Sequence, residues 1–170
     1  SPMILQKCCH DLDLLQYYAG GRCEALSSMG DLRHFRRECQ PQGASDRCTD
    51  CKYVHTCTYS AENIYIGNWK SVGSPDNCWP YNVLTTELPL TEANIRKAIE
   101  TGPYGRCVYA CDNDVVDHQV TILGFEGGVT VAHSMTAFSK EIYRDIKIHG
   151  TKAELYGIME KNFVEVRPYD

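Results

Sequence analysis

Two strand-like runs flank a glycine turn in residues 115–138, VVDHQVTILGFEGGVTVAHSMTAF. Residues 115–125 and 129–138 are rich in β-branched and aromatic side chains, which is typical of strands. Glu126-Gly127-Gly128 lies between them, and glycine adopts the positive φ angles that tight hairpin turns require. The stretch therefore predicts an antiparallel strand pair.

Further strands are predicted on both sides of this pair, at residues 23–29, 142–149, 154–158 and 162–167. The turns between successive strands are too short for the crossover of about a dozen residues that a parallel return requires. We therefore expect an α+β fold, with one open, mostly antiparallel β-sheet of four or five strands and helices packed on one face.

Two helices are predicted outside the strands. Residues 5–19 place apolar side chains at helical spacing, and the glycine pair that follows should end this helix. Thr91 is a favourable N-cap for the second helix, which Gly102-Pro103 should end.

The segment of about 30–82 has little periodicity, apart from one helical stretch at 59–66. Irregular segments of this length are uncommon inside a compact domain unless a function or a cross-link holds them. Its far end carries Trp69, Trp79 and Tyr81, which we expect to be buried against the rest of the chain. We therefore interpret residues 1–170 as a single domain with an irregular, cysteine-containing excursion.

Composition excludes several classes of function. The 170 residues include 17 Lys and Arg against 22 Asp and Glu, for a formal net charge of -5, and 43% of them are hydrophobic. A disordered tail and a basic nucleic-acid-binding surface are both disfavoured by these values. No apolar run approaches the roughly 20 residues that span a bilayer, and the start lacks a secretory pattern. We expect a cytoplasmic protein with no membrane partner.

Three of the ten cysteines form a tight cluster, namely Cys48, Cys51 and Cys57. Two thiolates two residues apart, with a third six residues later, are typical of part of a tetrahedral zinc site. The alternative interpretation is a loop of reduced, unliganded thiols. A structural zinc also needs a fourth ligand, and spacing leaves three candidates open: His34, Cys39 and His55.

A polar stripe runs along the first predicted helix, formed by Gln6, His10, Asp13 and Tyr17. Asp13 lies one turn after His10, where a carboxylate can orient an imidazole for acid–base chemistry. A solvated helix face would give the same pattern.

A second histidine–carboxylate pair lies at the start of residues 115–125. Strand alternation would place Asp114 and His118 on one face, either as a site at the end of the sheet or with a satisfied core histidine. His133 is assigned to the core with its ring hydrogen-bonded. The sequence contains no GxGxxG, GxxxxGK[ST] or GxSxG motif, so it predicts neither a nucleotide cradle nor a serine nucleophile.

Five segments together resemble a known family. They are 7–15 KCCHDLDLL, 102–109 GPYGRCVY, 112–119 DNDVVDHQ, 135–138 MTAF and 150–155 GTKAEL. In order and spacing they are similar to the C-terminal domain of the Gfo/Idh/MocA family of NAD(P)-dependent oxidoreductases. The resemblance covers essentially the whole chain and is closest to a bacterial branch with a comparable cysteine-containing insert.

The resemblance implies the C-terminal half of a two-domain enzyme. NAD or NADP would bind mainly to an N-terminal Rossmann domain that this chain lacks, and the open sheet face would form a homo-oligomer interface. The substrate would be a sugar or cyclitol-like polyol, with His10 as the catalytic residue and Asp13, Asp114 and His118 as candidate substrate contacts. Gln6 stands where the family has an aspartate, and its amide can bind substrate but cannot act as a base.

The resemblance also favours His34 slightly as the fourth zinc ligand. Two rival interpretations remain: a free-standing zinc-binding interaction module without catalysis, and a cysteine hydrolase that uses His10. The hydrolase is the weaker rival, because no cysteine lies in a recognisable nucleophile motif.

Overall fold

The computed structural model describes residues 2–170, and the chain divides into two compact units. The first unit ends at Met135 and the second runs from Thr136 to Asp170. The helices are α1 (Met3–Gln6), α2 (Cys8–Ala19), α3 (Asn68–Ser71) and α4 (Glu92–Thr101). The strands are β1 (Cys23–Asp31), β2 (His118–Phe125), β3 (Thr130–Thr136), β4 (Asp145–His149), β5 (Ala153–Ile158) and β6 (Phe163–Pro168).

The α+β class is confirmed, but the strands form two sheets and not one. The sheet orders are β1-β2-β3 and β4-β5-β6, and both sheets are antiparallel. Residues 137–144 form no strand, so the hydrogen-bond ladder is not continued from β3 to β4. Among residues 2–170, no helix has the length and apolar character needed to cross a bilayer.

The two predicted glycine turns are confirmed. Gly127 and Gly128 have φ angles of 84° and 85° between β2 and β3, and Gly20 ends α2 with a φ of 72°. The helix predicted over 5–19 is instead two helices, because Lys7 leaves helical geometry with φ -122° and ψ -51°. Gln6 and His10 therefore lie on different helices.

The excursion supplies much of the core of the first unit. Its buried side chains pack against Leu90, which precedes α4, and against Ile95 and Ile99 of α4. The whole cluster consists of Cys48, Ala61, Ile66, Trp69, Tyr81, Leu90, Ile95 and Ile99. The predicted burial of Trp69 and Tyr81 is confirmed, since each is 6% exposed. The prediction for Trp79 is wrong: it is 64% exposed, and the ammonium of Lys7 lies 5.5 Å from its ring centroid.

Both ends of α4 are satisfied by polar side chains. Thr91 and Asn94 form a reciprocal capping box at the N-terminus, which confirms the predicted N-cap. At the other end the guanidinium of Arg47 donates to the carbonyls of Ile99 and Gly102 at 2.6 and 2.7 Å. A cation at this position also favours the negative end of the helix dipole. Arg47 therefore attaches the excursion to α4.

Arg47 also pairs through its backbone with the segment that follows α4. An isolated antiparallel bridge joins Arg47 to Arg106, and the N–H of Cys48 donates to the carbonyl of Gly105 at 2.9 Å. Gly105 is buried, and a Cβ there would overlap the carbonyl oxygen of Ile99 and lie 2.6 Å from its carbonyl carbon. The segment that follows α4 can lie this close to the helix only with glycine at this position.

We expect Gly105→Ala to lower the free energy of unfolding by about 3 kcal/mol, the upper part of the range for overpacking, because the clash is with backbone. Gly67→Ala is the matched control, since its Cβ would meet nothing closer than 3.8 Å. Urea denaturation of the two variants checks the difference. Equal stability of both variants would contradict the close approach.

Candidate functional site

The predicted polar stripe is accessible to a ligand. Gln6 at the end of α1, and His10 and Asp13 on α2, are all exposed. Tyr17, one turn further along α2, is 78% exposed. The break at Lys7 separates Gln6 from the other members, so the stripe is not one continuous helical face.

The other side of α2 faces β3. Cys8 is buried at 4% exposure, and a carboxylate oxygen of Asp11 lies 3.7 Å from Nε2 of His133. The ligand atoms of Cys8, Asp11 and His133 all lie within 4.8 Å of one another. No sequence spacing predicts this group, because β3 lies far along the chain from α2.

These three residues can hold a metal ion. A thiolate, a carboxylate and an imidazole suit zinc, and three protein ligands leave one position of a tetrahedral ion open. The 3.7 Å between Asp11 and His133 is long for a hydrogen bond and slightly longer than the roughly 3.3 Å between two such ligands on one tetrahedral zinc. Nδ1 of His133 is buried without a hydrogen-bond partner among the described residues, so the predicted hydrogen bonding of this ring is wrong at Nδ1.

Asp117 is the most completely hydrogen-bonded carboxylate near the predicted sites, although no sequence pattern predicts a role for it. It is 2% exposed, and its Oδ2 accepts three successive backbone N–H groups, from Arg33, His34 and Phe35, at 3.0, 2.6 and 3.1 Å. Its Oδ1 lies 2.8 Å from Nδ1 of His118. Asp117 thus attaches the first residues of the excursion to the start of β2 and orients the His118 ring.

The pKa of Asp117 reflects two opposing effects. Burial raises the pKa, but the hydrogen bonds from His118 and from the backbone of the excursion outweigh it and lower the pKa to about 2. The carboxylate is therefore ionised throughout the physiological pH range.

The predicted pairing of Asp114 with His118 is wrong in its geometry. β2 begins at His118, so strand alternation does not extend back to Asp114, which is exposed. The carboxylate beside the histidine is Asp117. Three aspartates in residues 112–117 look equivalent in sequence, and only the fold distinguishes the buried one.

The predicted metal cysteines line one small cavity. Cys48, Cys51 and Cys57 share it with a fourth cysteine, Cys107, and its volume is ≈ 30 Å³. His34, Cys39 and His55 are not among its lining residues. Spacing does not connect Cys107 to this cluster, because it lies 50 residues beyond Cys57 and completes no spacing pattern.

Burial and the neighbouring thiols both act on the pKa of Cys48. Burial raises the pKa of the Cys48 thiol, a hydrogen bond from the N–H of Ala61 lowers it, and the thiols of Cys107, Cys57 and Cys51 raise it further. The cavity is therefore an unfavourable place for several uncompensated thiolates.

A cluster of aromatic rings connects Asp117 to this cavity. His34 and Phe35, whose N–H groups bind Asp117, pack edge-to-face against Tyr59 with ring centroids 5.5 and 5.2 Å away. Nε2 of His34 also lies 3.0 Å from the Tyr59 hydroxyl. Tyr59 and Tyr109, a further member of the cluster, both line the cysteine cavity.

Comparisons of this chain with protein-family models, with curated proteins and with solved structures find no match. The resemblance of its motifs to Gfo/Idh/MocA domains thus rests on the sequence segments alone.

We expect Asp117→Asn to lower the free energy of unfolding at pH 7 by about 2 kcal/mol. This figure follows from the difference between the pKa of about 2 in the folded chain and the value of 3.8 in the unfolded chain. Because the folded pKa is the lower one, this contribution is present above about pH 4 and is lost as the pH falls towards 2. Urea denaturation at pH 7 and pH 2.5 should show the two proteins converging in acid. Asp114→Asn, which removes an exposed carboxylate from the same segment, is the control and should cost far less at pH 7. A constant gap between wild type and Asp117→Asn would contradict the assignment.

Proposed function

We propose that this chain is the substrate-binding and oligomerisation domain of an NAD(P)-dependent oxidoreductase acting on a hydroxyl or carbonyl group of a sugar or cyclitol-like substrate. The five family-like segments support the proposal, and an antiparallel α+β fold agrees with it. The observation that carries it is the exposure of His10 on α2, with exposed Gln6 and Asp13 nearby in sequence.

NAD or NADP, bound mainly by a separate Rossmann domain, would supply hydride transfer at the substrate carbon. His10 would accept the proton of the substrate hydroxyl in oxidation and return it in reduction. Gln6 can donate and accept hydrogen bonds but cannot remove a proton, so it would bind substrate. Asp13 would orient His10.

His118 and Asp114 are proposed as further substrate contacts. His118 is 40% exposed at its side chain, and Asp117 holds its Nδ1 at 2.8 Å. A ring oriented in this way can present its other edge to a polyol without a large loss of side-chain entropy. Asp117 would then be a positioning residue.

The outer face of the β1-β2-β3 sheet is the proposed homo-oligomer interface. Met29 lies opposite Val120 in the register and Ser27 opposite Ile122. The side chains of Met29, Val120 and Ile122 are 80%, 48% and 58% exposed. Apolar side chains on one face of an exposed sheet suit association with a second copy of the chain.

The alternative function is a zinc-binding interaction module without catalysis. The shared cavity of four cysteines is the observation that favours it, because it accounts for a metal without any substrate site. The two proposals differ in whether His10 has a chemical role.

We expect the 170-residue chain alone to oxidise no polyol when NAD or NADP is added. In the longer enzyme that contains a Rossmann domain, His10→Ala should reduce kcat by roughly 10²–10⁴-fold, the usual contribution of a positioned acid–base group. NAD(P)H absorbance with a panel of sugars and cyclitols measures both.

The control is His149→Ala, which removes an exposed histidine in the second unit and should leave kcat unchanged. Unchanged kcat in His10→Ala would contradict the catalytic role. Turnover by the isolated chain would contradict the assignment of the cofactor to another domain.

A further inference from the structure

Four cysteines from two distant parts of the chain meet at one cavity. Cys48, Cys51 and Cys57 come from the excursion, whereas Cys107 follows α4. All four are free thiols, and none of them is exposed. The convergence of three clustered thiols with a fourth from elsewhere is the arrangement that a four-thiolate metal site requires.

Backbone pairing fixes the relative positions of Cys48 and Cys107. The bridge between Arg47 and Arg106 lies between two flanking hydrogen bonds, from Cys48 N–H to Gly105 at 2.9 Å and from Cys107 N–H to Asp46 at 2.8 Å. Cys48 and Cys107 are therefore brought together by antiparallel pairing, although 59 residues separate them in sequence.

Turns hold the other two thiols near this pair. The N–H of Cys51 donates to the carbonyl of Cys48 at 3.2 Å, and the N–H of Cys57 donates to Tyr53 at 2.8 Å. A tight turn of this kind allows two thiols at i and i+3 to bind one ion.

Two of the sulfur atoms already accept hydrogen bonds. The N–H of Ala61 donates to Sγ of Cys48 at 3.5 Å, and the side-chain amide of Gln40 donates to Sγ of Cys107 at 3.6 Å. Donors to sulfur stabilise thiolates and are the usual outer-shell contacts of metal-bound cysteine. No donor of this kind is needed by a thiol that serves only as an apolar core residue.

The rest of the cavity wall indicates the kind of ligand. It contains no carboxylate, imidazole or amine, and consists of Pro41, Ala44, Ser45, Tyr53, Val54, Tyr59, Ser60, Val108 and Tyr109. A volume of ≈ 30 Å³ accommodates a single ion and excludes an organic cofactor. Thiolates in an apolar wall select a soft or borderline metal ion over magnesium or calcium.

We infer that Cys48, Cys51, Cys57 and Cys107 bind one structural Zn²⁺, with Cys107 as the fourth ligand. Among residues 2–170, only Cys8, Asp11 and His133 have three ligand atoms within 4.8 Å of one another. No three of the four cysteine sulfurs meet this distance, so they are more widely spread than in a closed zinc site. Sulfurs on one tetrahedral zinc lie roughly 3.8 Å apart. Rotation about a single Cα–Cβ bond moves a cysteine sulfur by roughly 3 Å, so zinc closes the site by changes of rotamer.

The three earlier candidates for the fourth ligand are each placed elsewhere. Nε2 of His34 lies 3.0 Å from the Tyr59 hydroxyl, within the aromatic cluster. Cys39 is exposed, and its thiol donates to the carbonyl of Arg33 at 3.3 Å. His55 is exposed and does not line the cavity. The inferred zinc joins the excursion to the segment after α4 and does not depend on the redox function.

The test measures zinc in the full chain purified under reducing conditions without added metal, by elemental analysis. We expect Cys107→Ser to contain about one zinc fewer per chain than Cys39→Ser, which is the matched control and should equal the wild type. Comparing the two variants cancels any zinc held by Cys8, Asp11 and His133.

The absorption spectrum of bound Co²⁺ reports which cysteines are ligands. Replacing a cysteine that is not a ligand should leave this spectrum unchanged. In Co²⁺-loaded wild type, the sulfur-to-cobalt charge-transfer absorption should correspond to four thiolates, and it should fall in Cys107→Ser but not in Cys39→Ser. Should Cys107→Ser fail to fold, Cys51→Ser is expected to lose the same zinc, and thiol alkylation of wild type after zinc removal should newly label Cys107.

Several results would overturn the inference. One is equal zinc content in Cys107→Ser and Cys39→Ser, and another is loss of zinc in Cys39→Ser or His34→Ala but not in Cys107→Ser. Wild-type protein that contains no zinc, or that contains iron with acid-labile sulfide in place of zinc, would also overturn it. Alkylation of Cys107 at the same rate before and after chelation would likewise exclude it as a ligand.

Discussion

The carboxylate of Asp117 and its three backbone N–H donors constrain the part of the chain that carries the candidate sites. A buried charge is costly unless it is paired and hydrogen-bonded. Asp117 accepts hydrogen bonds from the backbone N–H groups of Arg33, His34 and Phe35, and its other oxygen contacts the His118 ring. This interaction sets where the excursion leaves β1. The aromatic rings that follow then pack beside the cysteine cavity, so one carboxylate orients both His118 and the entry to the thiol cluster.

Local signals predicted those parts of the fold that depend on neighbouring residues. The Gly127-Gly128 turn and the Thr91 cap were predicted correctly, because turn and cap chemistry acts over a few positions. The split into two sheets was not, since nothing local in residues 137–144 indicates that the hydrogen-bond ladder ends at β3. The core role of the excursion was predicted only in part: the burial of Trp69 and Tyr81 was expected correctly, but Trp79 has the same composition signal and the opposite burial.

The candidate sites divide in the same way. Exposure of His10 and Asp13 follows from helical spacing, and the grouping of Cys48, Cys51 and Cys57 follows from their separation in sequence. Asp117, His133 and Cys107 can be recognised as site residues only from the folded structure, because each contacts or lies near residues that are distant in sequence. A single sequence carries no signal for such pairs, whereas covariation among homologues would.

The pairing of residues 46–48 with residues 105–107 has a consequence for synthesis. At roughly 5–20 residues per second, Cys107 leaves the ribosome about 3–10 s after Cys57. During that interval the nascent chain has three clustered thiols, and the carbonyl of Gly105 that receives Cys48 has not yet emerged. These thiols are then open to oxidation and to metal capture before the segment that later pairs with them exists.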